Sequence, residues 1–438
     1  MSIHSRVAVT LALISGHLAA QSTLPPVRPL GSIVAASPSG FASISAVRAL
    51  SDGSVLVNDL TGRKVTLLDS TLAHSTVIAD STSATSMAYS SRLGGIIAYH
   101  GDTTLFVDPQ SMSMLVLDAT GKVARVMSVP KAQDATFLIG GPFGNAGMDP
   151  SGRLVYRTML RPIMTPPGPD GKMVAPISID SAPIIRFDLD ARRADTAGYI
   201  KVPAPRVSIN SSEGRVRITM QLNPVSVTDE WALLPDGDIA VVRGADFRVD
   251  LLKQDGTLVK GQKIPFEWQR LNDSSKQVIV DSVRTMMEAA RTRQLAIMQG
   301  NAPAPSTASG ATPAGGVMFQ MRVEGGPPAA GAPATRSGGT SIELPPVEFV
   351  PLSEMQDYLP AFSAGAVRAD ADGNLWIRTS TVSKGLYVYD VVNSAGQLID
   401  RVQLPAGRTI AGFGKEGVVY LAVRDGAAGV RLERARTK

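Results

Sequence analysis

The feature that most constrains the fold of this chain is a tight turn followed by a short apolar strand, which recurs along the sequence. The fullest copy is residues 51–59, Ser-Asp-Gly-Ser-Val-Leu-Val-Asn-Asp, with a second apolar run at residues 65–69. Further copies, some degenerate, begin at Asp149, Pro235, Ala371 and Lys415. Glycine accepts the positive φ that such turns require, so each copy predicts a hairpin that leads into a strand.

The copies have a nearly constant internal spacing. Three pairs of aspartates, predicted to mark the first turn and the end of the third strand, lie 17, 16 and 18 residues apart: Asp52 with Asp69, Asp102 with Asp118, and Asp372 with Asp390. Each copy provides about four short strands. Four-stranded repeats of about 40 to 50 residues are typical of the blades of a β-propeller.

Six such repeats account for most of the chain. They are predicted at residues 43–79, 83–130, 137–203, 227–265, 358–405 and from residue 409 to the end. The sixth repeat has too few residues for a fourth strand. The apolar run near Ile33 is predicted to supply that strand, which closes the ring and removes an exposed edge.

Residues 268–344 interrupt the repeats between the fourth and fifth blades. Residues 274–298 place apolar side chains at helical spacing, with Ser274 and Gln277 as a predicted capping box. Residues 299–339 are rich in Gly, Ala, Pro, Ser and Thr, a composition that is typical of flexible segments. We expect Met286, Met287 and Ile297 to pack on blade four or five if the helix covers the channel.

The N-terminus has the pattern of a secretory signal peptide over residues 1–20: Arg6, an apolar core from Val7, and small residues before Gln21. The expected organisation is therefore the signal peptide, blades one to four with the closing strand in residues 21–267, the insertion in 268–344, and blades five and six in 345–438. The 438 residues include no cysteine, which excludes disulfides, and the net charge is only +5 without a basic cluster, which argues against nucleic-acid binding.

Residues 371–377, Ala-Asp-Gly-Asn-Leu-Trp-Ile, preceded by Tyr-Leu-Pro-Ala-Phe at 358–362, resemble the secreted bacterial six-bladed β-propellers of the NHL-like and TolB-like kind. The resemblance covers nearly all of the chain after the signal peptide, apart from the insertion. It implies an all-β, six-bladed β-propeller with a helical and low-complexity insertion between blades four and five. Members of this group include binding scaffolds, calcium-dependent lactonases and a few lyases, so the resemblance implies no single activity.

The candidate ligand-binding residues are those that depart from the repeat pattern. Asn145, Asp229, Glu230 and Asp357 do not fall at the recurring turns and are candidates to line the channel or one face. His100 follows Tyr99 at a turn, where it is either a surface residue or a base or metal ligand. The aspartates of the repeats, such as Asp52, Asp236 and Asp372, are explained by turn formation.

Several familiar site patterns are missing from the sequence. No cysteine or histidine pair has the spacing of a zinc site, so the sequence predicts no metal site of that kind. The Gly-rich residues 140–145 lack the following Lys-Ser/Thr of a phosphate-binding loop and are predicted to be a connection that leads into a blade. Trp231, Trp268 and Trp376 are predicted to pack in the core.

Two functions remain open from the sequence. The first is an exported, monomeric propeller, periplasmic or secreted, that binds an unknown protein or small molecule, requires no cofactor and has no membrane insertion after signal removal. The alternative is a calcium-dependent, lactonase-like hydrolase that acts at the central channel, with carboxylates as the hard ligands that calcium prefers. The first is favoured because few side chains suit proton transfer near neutral pH.

Overall fold

The computed structural model describes residues 24–81, 93–160, 177–204, 206–212, 215–298 and 348–437. The predicted signal peptide and residues 299–347 lie outside these ranges, as do residues 161–176 of the third predicted repeat. Strands are numbered in chain order. The N-terminal pair and the first three blades comprise β1 (Val27–Pro29), β2 (Ile33–Ala36), β3 (Ala46–Ala49), β4 (Val55–Asp59), β5 (Lys64–Leu68), β6 (Ser75–Ala79), β7 (Gly95–Ala98), β8 (Thr104–Asp108), β9 (Ser113–Leu117), β10 (Val123–Ser128), β11 (Gly147–Met148), β12 (Arg153–Arg157), β13 (Ser181–Asp188) and β14 (Arg193–Lys201).

The second half of the chain contains one helix among its strands. Its elements are β15 (Arg206–Ser212), β16 (Arg215–Leu222), β17 (Glu230–Leu233), β18 (Ile239–Arg243), β19 (Arg248–Leu252), β20 (Leu258–Val259), α1 (Asp273–Met298), β21 (Glu348–Phe349), β22 (Phe362–Ala369), β23 (Leu375–Ser383), β24 (Leu386–Val392), β25 (Leu398–Gln403), β26 (Arg408–Phe413), β27 (Val418–Arg424) and β28 (Val430–Arg436).

Six antiparallel sheets form the blades of a six-bladed β-propeller within the described residues. Five of them take their antiparallel strands in sequence order, β3–β6, β7–β10, β11–β14, β17–β20 and β22–β25. The sixth has the order β2-β28-β27-β26, so β2 supplies the outer strand that the short sixth repeat lacks, as the sequence predicted. The first strand of each blade lies innermost, and β26 contacts β3, which joins the last blade to the first.

Within the described residues, the core of the propeller consists of six apolar clusters, one between each pair of neighbouring blades. Each cluster contains residues of both blades that it joins. From the first interface to the last, representative members are Leu56 and Phe106, Leu105 and Tyr156, Val155 and Trp231, Val242 and Ile377, Trp376 and Leu421, and Leu432 and Val57. Side chains alternate between the two faces of a strand, and in a second strand such as β4 both faces are buried. This explains why these strands have apolar runs rather than alternating sequences.

The predicted turns are formed as expected. Gly53, Gly237 and Gly373 have φ values of +84°, +87° and +87°, which side chains with a Cβ rarely adopt. Asp390 is a correction: it lies inside β24, buried, with Arg401 Nε 3.3 Å from its carboxylate, and does not end the strand. The turn after β24 is made by Asn393, whose Oδ1 accepts hydrogen bonds from the amides of Ala395 and Gln397.

The connections on either side of blade four combine into one structural unit. Strands β15 and β16 form an antiparallel hairpin, and β21 adds to β16 in parallel although it lies more than 100 residues further along the chain. Helix α1 packs on this unit through Val280, which lies in a cluster with Val225 and Val350. The chain before blade five, around residues 348–357, thus packs with the insertion.

Three expectations about the insertion are corrected. Met286 is exposed instead of packing on a blade, because the buried side of α1 is formed near its start by Lys276 and Val280; Met287 is half-buried, and the side chain of Ile297 lies outside the described residues. Trp268 is 40% exposed and stacks edge-on against Phe266. The helix is capped by Asn272, whose Oδ1 accepts a hydrogen bond from the Ser275 amide, rather than by Ser274.

No helix in the described ranges is both long enough and apolar enough to cross a membrane.

Candidate functional site

The inner strand of blade four places a carboxyl group at one mouth of the channel. Strand β17, the first strand of blade four, begins at Glu230. Trp231 packs between blades three and four, whereas Ala232 packs between blades four and five. Because side chains alternate along a strand, Glu230 faces blade five with Ala232. Its side chain is completely buried, with 0% of the residue exposed.

A loop formed by residues 140–145, here called the channel loop, reaches from the start of blade three to blades four and five. The indole Nε1 of Trp231 donates a hydrogen bond of 2.9 Å to the Phe143 carbonyl. Gly144 packs so tightly on this indole that an added Cβ would lie 2.5 Å from Nε1. On the far side, a Cβ on Gly365 of β22 would lie 3.5 Å from the Cα of Pro142. The channel loop therefore lies across the mouth and joins three blades.

Gly365 lies in an irregular part of β22. The register of β22 on β23 shifts between Phe362 and Val367, and Gly365 has a φ of +73°. Such a bulge re-aims the backbone of an inner strand, and bulges are common beside functional sites. Here the bulge brings the Gly365 amide to the side of Glu230, where it lowers the pKa of the carboxyl.

Arg157 provides the second charged group of the site. It ends β12, is 7% exposed, and its Cζ lies 5.4 Å from the centre of the Phe143 ring in the channel loop. Burial lowers the pKa of Arg157, and its attraction to Glu230 opposes this effect. The two side chains interact electrostatically, but no direct ion pair joins them in the described structure.

Glu230 lacks the hydrogen bonds that normally accompany a buried carboxylate. Within the described part of the chain, the Gly365 amide approaches the carboxylate closely enough to lower its pKa but not with the distance and angle of a hydrogen bond, so neither oxygen is satisfied, and the Nε of Arg157 also lacks a partner. Burial raises the pKa of Glu230 to about 7, while the Gly365 amide and Arg157 act in the opposite direction. Unpaired buried polar groups are uncommon and costly in native proteins, so this pair requires an explanation.

The segment that leads into the channel loop is fixed by Asp134. Its carboxylate accepts hydrogen bonds from the Tyr156 hydroxyl at 3.0 Å and the Thr158 hydroxyl at 2.8 Å. Burial, together with the Asp134 charge, raises the pKa of Tyr156. Tyr156 therefore stays a neutral donor at physiological pH, and the start of the segment is held on β12 beside Arg157.

The structure gives Asp229 a structural role. Its carboxylate accepts hydrogen bonds from Arg243 Nη1 at 2.8 Å and from the amides of Lys201 and Gly244 at 3.0 Å each. These contacts join the last strand of blade three to blade four. Asp229 faces away from Glu230 because consecutive side chains alternate, and its influence on the site is to raise the pKa of Glu230.

The remaining predicted site residues lie in three places. Asn145 is an exposed residue of the channel loop, at the same mouth as Glu230. Asp357 lies in the chain before blade five that packs with the insertion, where Lys276 Nζ of α1 lies 3.0 Å from its carboxylate and lowers its pKa. His100 is exposed at the turn after β7, at the opposite mouth, and its ring lies 4.1 Å from that of Tyr99. The structure thus brings Asn145 near the mouth with Glu230 and places Asp357 and His100 elsewhere.

Sequence reasoning missed Arg157. The matching last positions of β4 and β8 are Asp59 and Asp108, whose carboxylates bind the backbone amides of the next turn, at Gly62 and Gln110. An arginine in place of an aspartate at the end of an apolar second strand is only a weak signal, because β18 and β27 also end in arginines, Arg243 and Arg424.

The described residues do not fit a calcium site. None of them forms a group of three or more histidine or carboxylate side chains close enough to hold a metal ion. At the channel mouth, Glu230 has a guanidinium beside it rather than further oxygen ligands, and calcium requires six to eight oxygens.

Searches for similar proteins identify distant structural likeness only. No family model matches the chain, and no curated protein matches it. Solved structures that are similar include a gluconolactonase from Xanthomonas campestris, with 11% identity and a TM-score of 0.38 over 93% of this chain and 99% of that one. A calcium-binding regucalcin from Agrobacterium tumefaciens has 13% identity and a TM-score of 0.34 over 95% and 98% of the two chains.

A streptogramin B lyase has 10% identity and a TM-score of 0.32 over 94% of this chain and 87% of the other. Likeness at this level assigns no activity, so the function is argued from the residues of this chain.

Proposed function

We propose that this protein is a β-propeller that binds a small polar ligand at the channel mouth, beneath the channel loop. The observation that carries the proposal is the completely buried Glu230, whose carboxylate oxygens have no hydrogen-bond partner in the described structure. Leaving such a group unpaired costs about 1–3 kcal/mol or more. A ligand that donates hydrogen bonds to Glu230 removes this cost.

The charges of the site define the class of ligand. Glu230 offers an acceptor and Arg157 offers a donor on Nε, so the ligand carries both kinds of group, as a hydroxy acid, an amino acid or a sugar derivative does. Because Glu230 has no exposed surface, the channel loop must move for the ligand to enter. Binding in a water-excluded site strengthens each hydrogen bond to a charged group.

The test is thermal unfolding of the wild type in the presence of a panel of hydroxy acids, amino acids and sugar lactones. A ligand at 100 times its Kd stabilises the folded state by about 2.7 kcal/mol. We expect this stabilisation to be lost in Glu230→Gln and kept in Asp390→Asn, a matched buried carboxyl in blade five. Equal stabilisation of the wild type and Glu230→Gln would show that the ligand binds elsewhere.

A second candidate function is hydrolysis of a lactone, and the pKa of Glu230 favours it. A carboxyl group with a pKa near 7 is partly ionised at neutral pH and suits a general base that accepts a proton from an attacking water. In that case the rate of lactone opening rises with pH through an inflection near 7, and Glu230→Gln removes it. Assays with added calcium and with a chelator separate a calcium-dependent enzyme from one that depends on Glu230 alone.

We also propose that the protein is exported, with cleavage near Ala20, to the periplasm or the cell exterior. The signal-like N-terminus and the absence of cysteine support this proposal. N-terminal sequencing of the protein isolated from its native host tests it: a mature chain that begins near Gln21 is the expected result, and an intact Met1 in the cytoplasmic fraction would refute it.

A further inference from the structure

Two arginines and a tyrosine share one face of blade five, on the side opposite to Glu230. Arg368 of β22 pairs with Trp376 of β23, and Arg378 of β23 pairs with Tyr389 of β24. Residues two apart on a strand share a face, so Arg378 lies on the same face as Trp376. That face packs on blade six through Trp376 and Ile410. Arg368, Arg378 and Tyr389, here called the arginine cluster, therefore lie between blades five and six.

The arginine cluster has no carboxylate partner in the described residues. Several other arginines of blades four to six have one: Arg243 binds Asp250 at 2.8 Å, Arg401 binds Asp390 at 3.3 Å, and Arg408 binds Glu433 at 2.6 Å. Arg368 makes one hydrogen bond, from Nη1 to the Ala411 carbonyl at 3.5 Å. The guanidinium of Arg378 lies 5.8 Å from the centre of the Tyr387 ring.

The electrostatics of the arginine cluster are unfavourable as it stands. Burial lowers the pKa of Arg368, the Arg378 charge lowers it further, and only Tyr389 acts in the opposite direction. Burial also raises the pKa of Tyr389, so its hydroxyl remains a neutral donor. All three residues are half-buried, which leaves part of each accessible to solvent.

We propose that the arginine cluster binds a small oxyanion, the carboxylate or phosphate group of a metabolite, between blades five and six. Guanidinium groups bind planar oxyanions through paired hydrogen bonds, and hydrogen bonds with charged partners are stronger than neutral ones. An anion here offsets the repulsion between the two cations, and the Tyr389 hydroxyl donates to it. This site is separate from the channel mouth. Glu230 lies between blades four and five, whereas the arginine cluster lies on the opposite face of the blade five sheet.

The test uses isothermal titration calorimetry of the full chain with inorganic phosphate and, separately, acetate, at constant ionic strength set with chloride. Saturable binding of one of the two is expected, and the preferred anion identifies the group that the cluster accepts. Arg378→Met should weaken this binding at least tenfold, and Arg368→Met should do the same. Methionine keeps the apolar stem of the side chain and removes the charge.

The control is Arg193→Met, which removes an arginine that is exposed on β14 and pairs with Asp195. It should bind the anion as the wild type does. Arg378→Met is measured even if Arg368→Met does not fold, because Arg368 also donates a hydrogen bond to the Ala411 carbonyl of blade six. Absence of saturable binding for both anions, or equal binding by Arg378→Met and the wild type, would overturn the proposal.

Discussion

At the scale of single residues, two buried carboxyl groups illustrate different ways of accommodating a charge. Asp390 lies beside Arg401, and burial nevertheless raises its pKa to about 6. Glu230 has no direct partner, and burial raises its pKa to about 7. A buried carboxyl group without a partner, such as Glu230, lowers stability, and such groups are typical of functional sites.

The raised pKa of Glu230 makes stability depend on pH. Its ordinary value is 4.5, so the folded state holds the proton more tightly, and its contribution is complete below pH 4.5 and lost as the pH rises through about 7. The shift corresponds to about 3 kcal/mol. We expect Glu230→Gln to be more stable than the wild type at pH 8 and nearly equal to it at pH 4.5.

Chemical denaturation at the two pH values measures this difference. Asp195→Asn, an exposed carboxyl of blade three, is the control and should follow the wild type. If Glu230→Gln is less stable than the wild type at pH 8, Glu230 has a compensating partner and is not an unpaired group.

At the scale of structural elements, the channel loop depends on one side chain of the blade that it crosses. Trp231 packs between blades three and four and also donates a hydrogen bond to the Phe143 carbonyl. Trp376 provides a matched comparison, because it is also buried and its indole donates to Asp370 at 3.1 Å, far from the channel loop.

We therefore expect Trp231→Phe to lose about 1–2 kcal/mol of stability, from one hydrogen bond and a smaller ring. Amide hydrogen exchange at residues 141–145 should become faster in this variant. Trp376→Phe should lose similar stability without changing exchange in the channel loop. Unchanged exchange in Trp231→Phe would mean that the loop is held by its other contacts.

At the scale of the whole molecule, the N-terminal residues close the ring. Strand β2 pairs with β28 of blade six, and β1 pairs in parallel with β25 of blade five. Arg28 strengthens this closure, since its Nε lies 2.8 Å from Asp400 of blade five and its Nη1 donates to the Thr437 carbonyl at 2.9 Å.

Removing residues 1–36 should therefore lower the midpoint of thermal unfolding markedly and promote association, because the edges of β25 and β28 become exposed. Removing only residues 1–23 should leave the midpoint unchanged, since both closing strands remain. Thermal unfolding and size-exclusion chromatography measure the two effects. A monomer with an unchanged midpoint after the longer deletion would show that closure rests on side-chain packing between blades six and one.

The sequence by itself determined the repeat, the six blades and the position of the closing strand. These depend on local chemistry: glycines that accept positive φ, and apolar runs whose length matches a strand buried on both faces. It also identified Glu230 as an exception to the repeat. It did not identify Asp390 as an interior residue, because spacing alone does not separate a strand end from a buried ion pair.

Only the tertiary structure decided which of the residues that depart from the repeat pattern lie close together. Asp229 and Glu230 are neighbours in sequence, yet one binds Arg243 and the other faces blade five unpaired. Arg157 of blade three and Gly365 of blade five both lie beside Glu230 of blade four. Arg368 and Arg378 share a face of blade five only because of the register of β22 on β23. The pairing of β16 with β21 likewise unites distant segments. A local pattern specifies each strand, but the ring closes through long-range packing, and that packing determines which charges share a buried site.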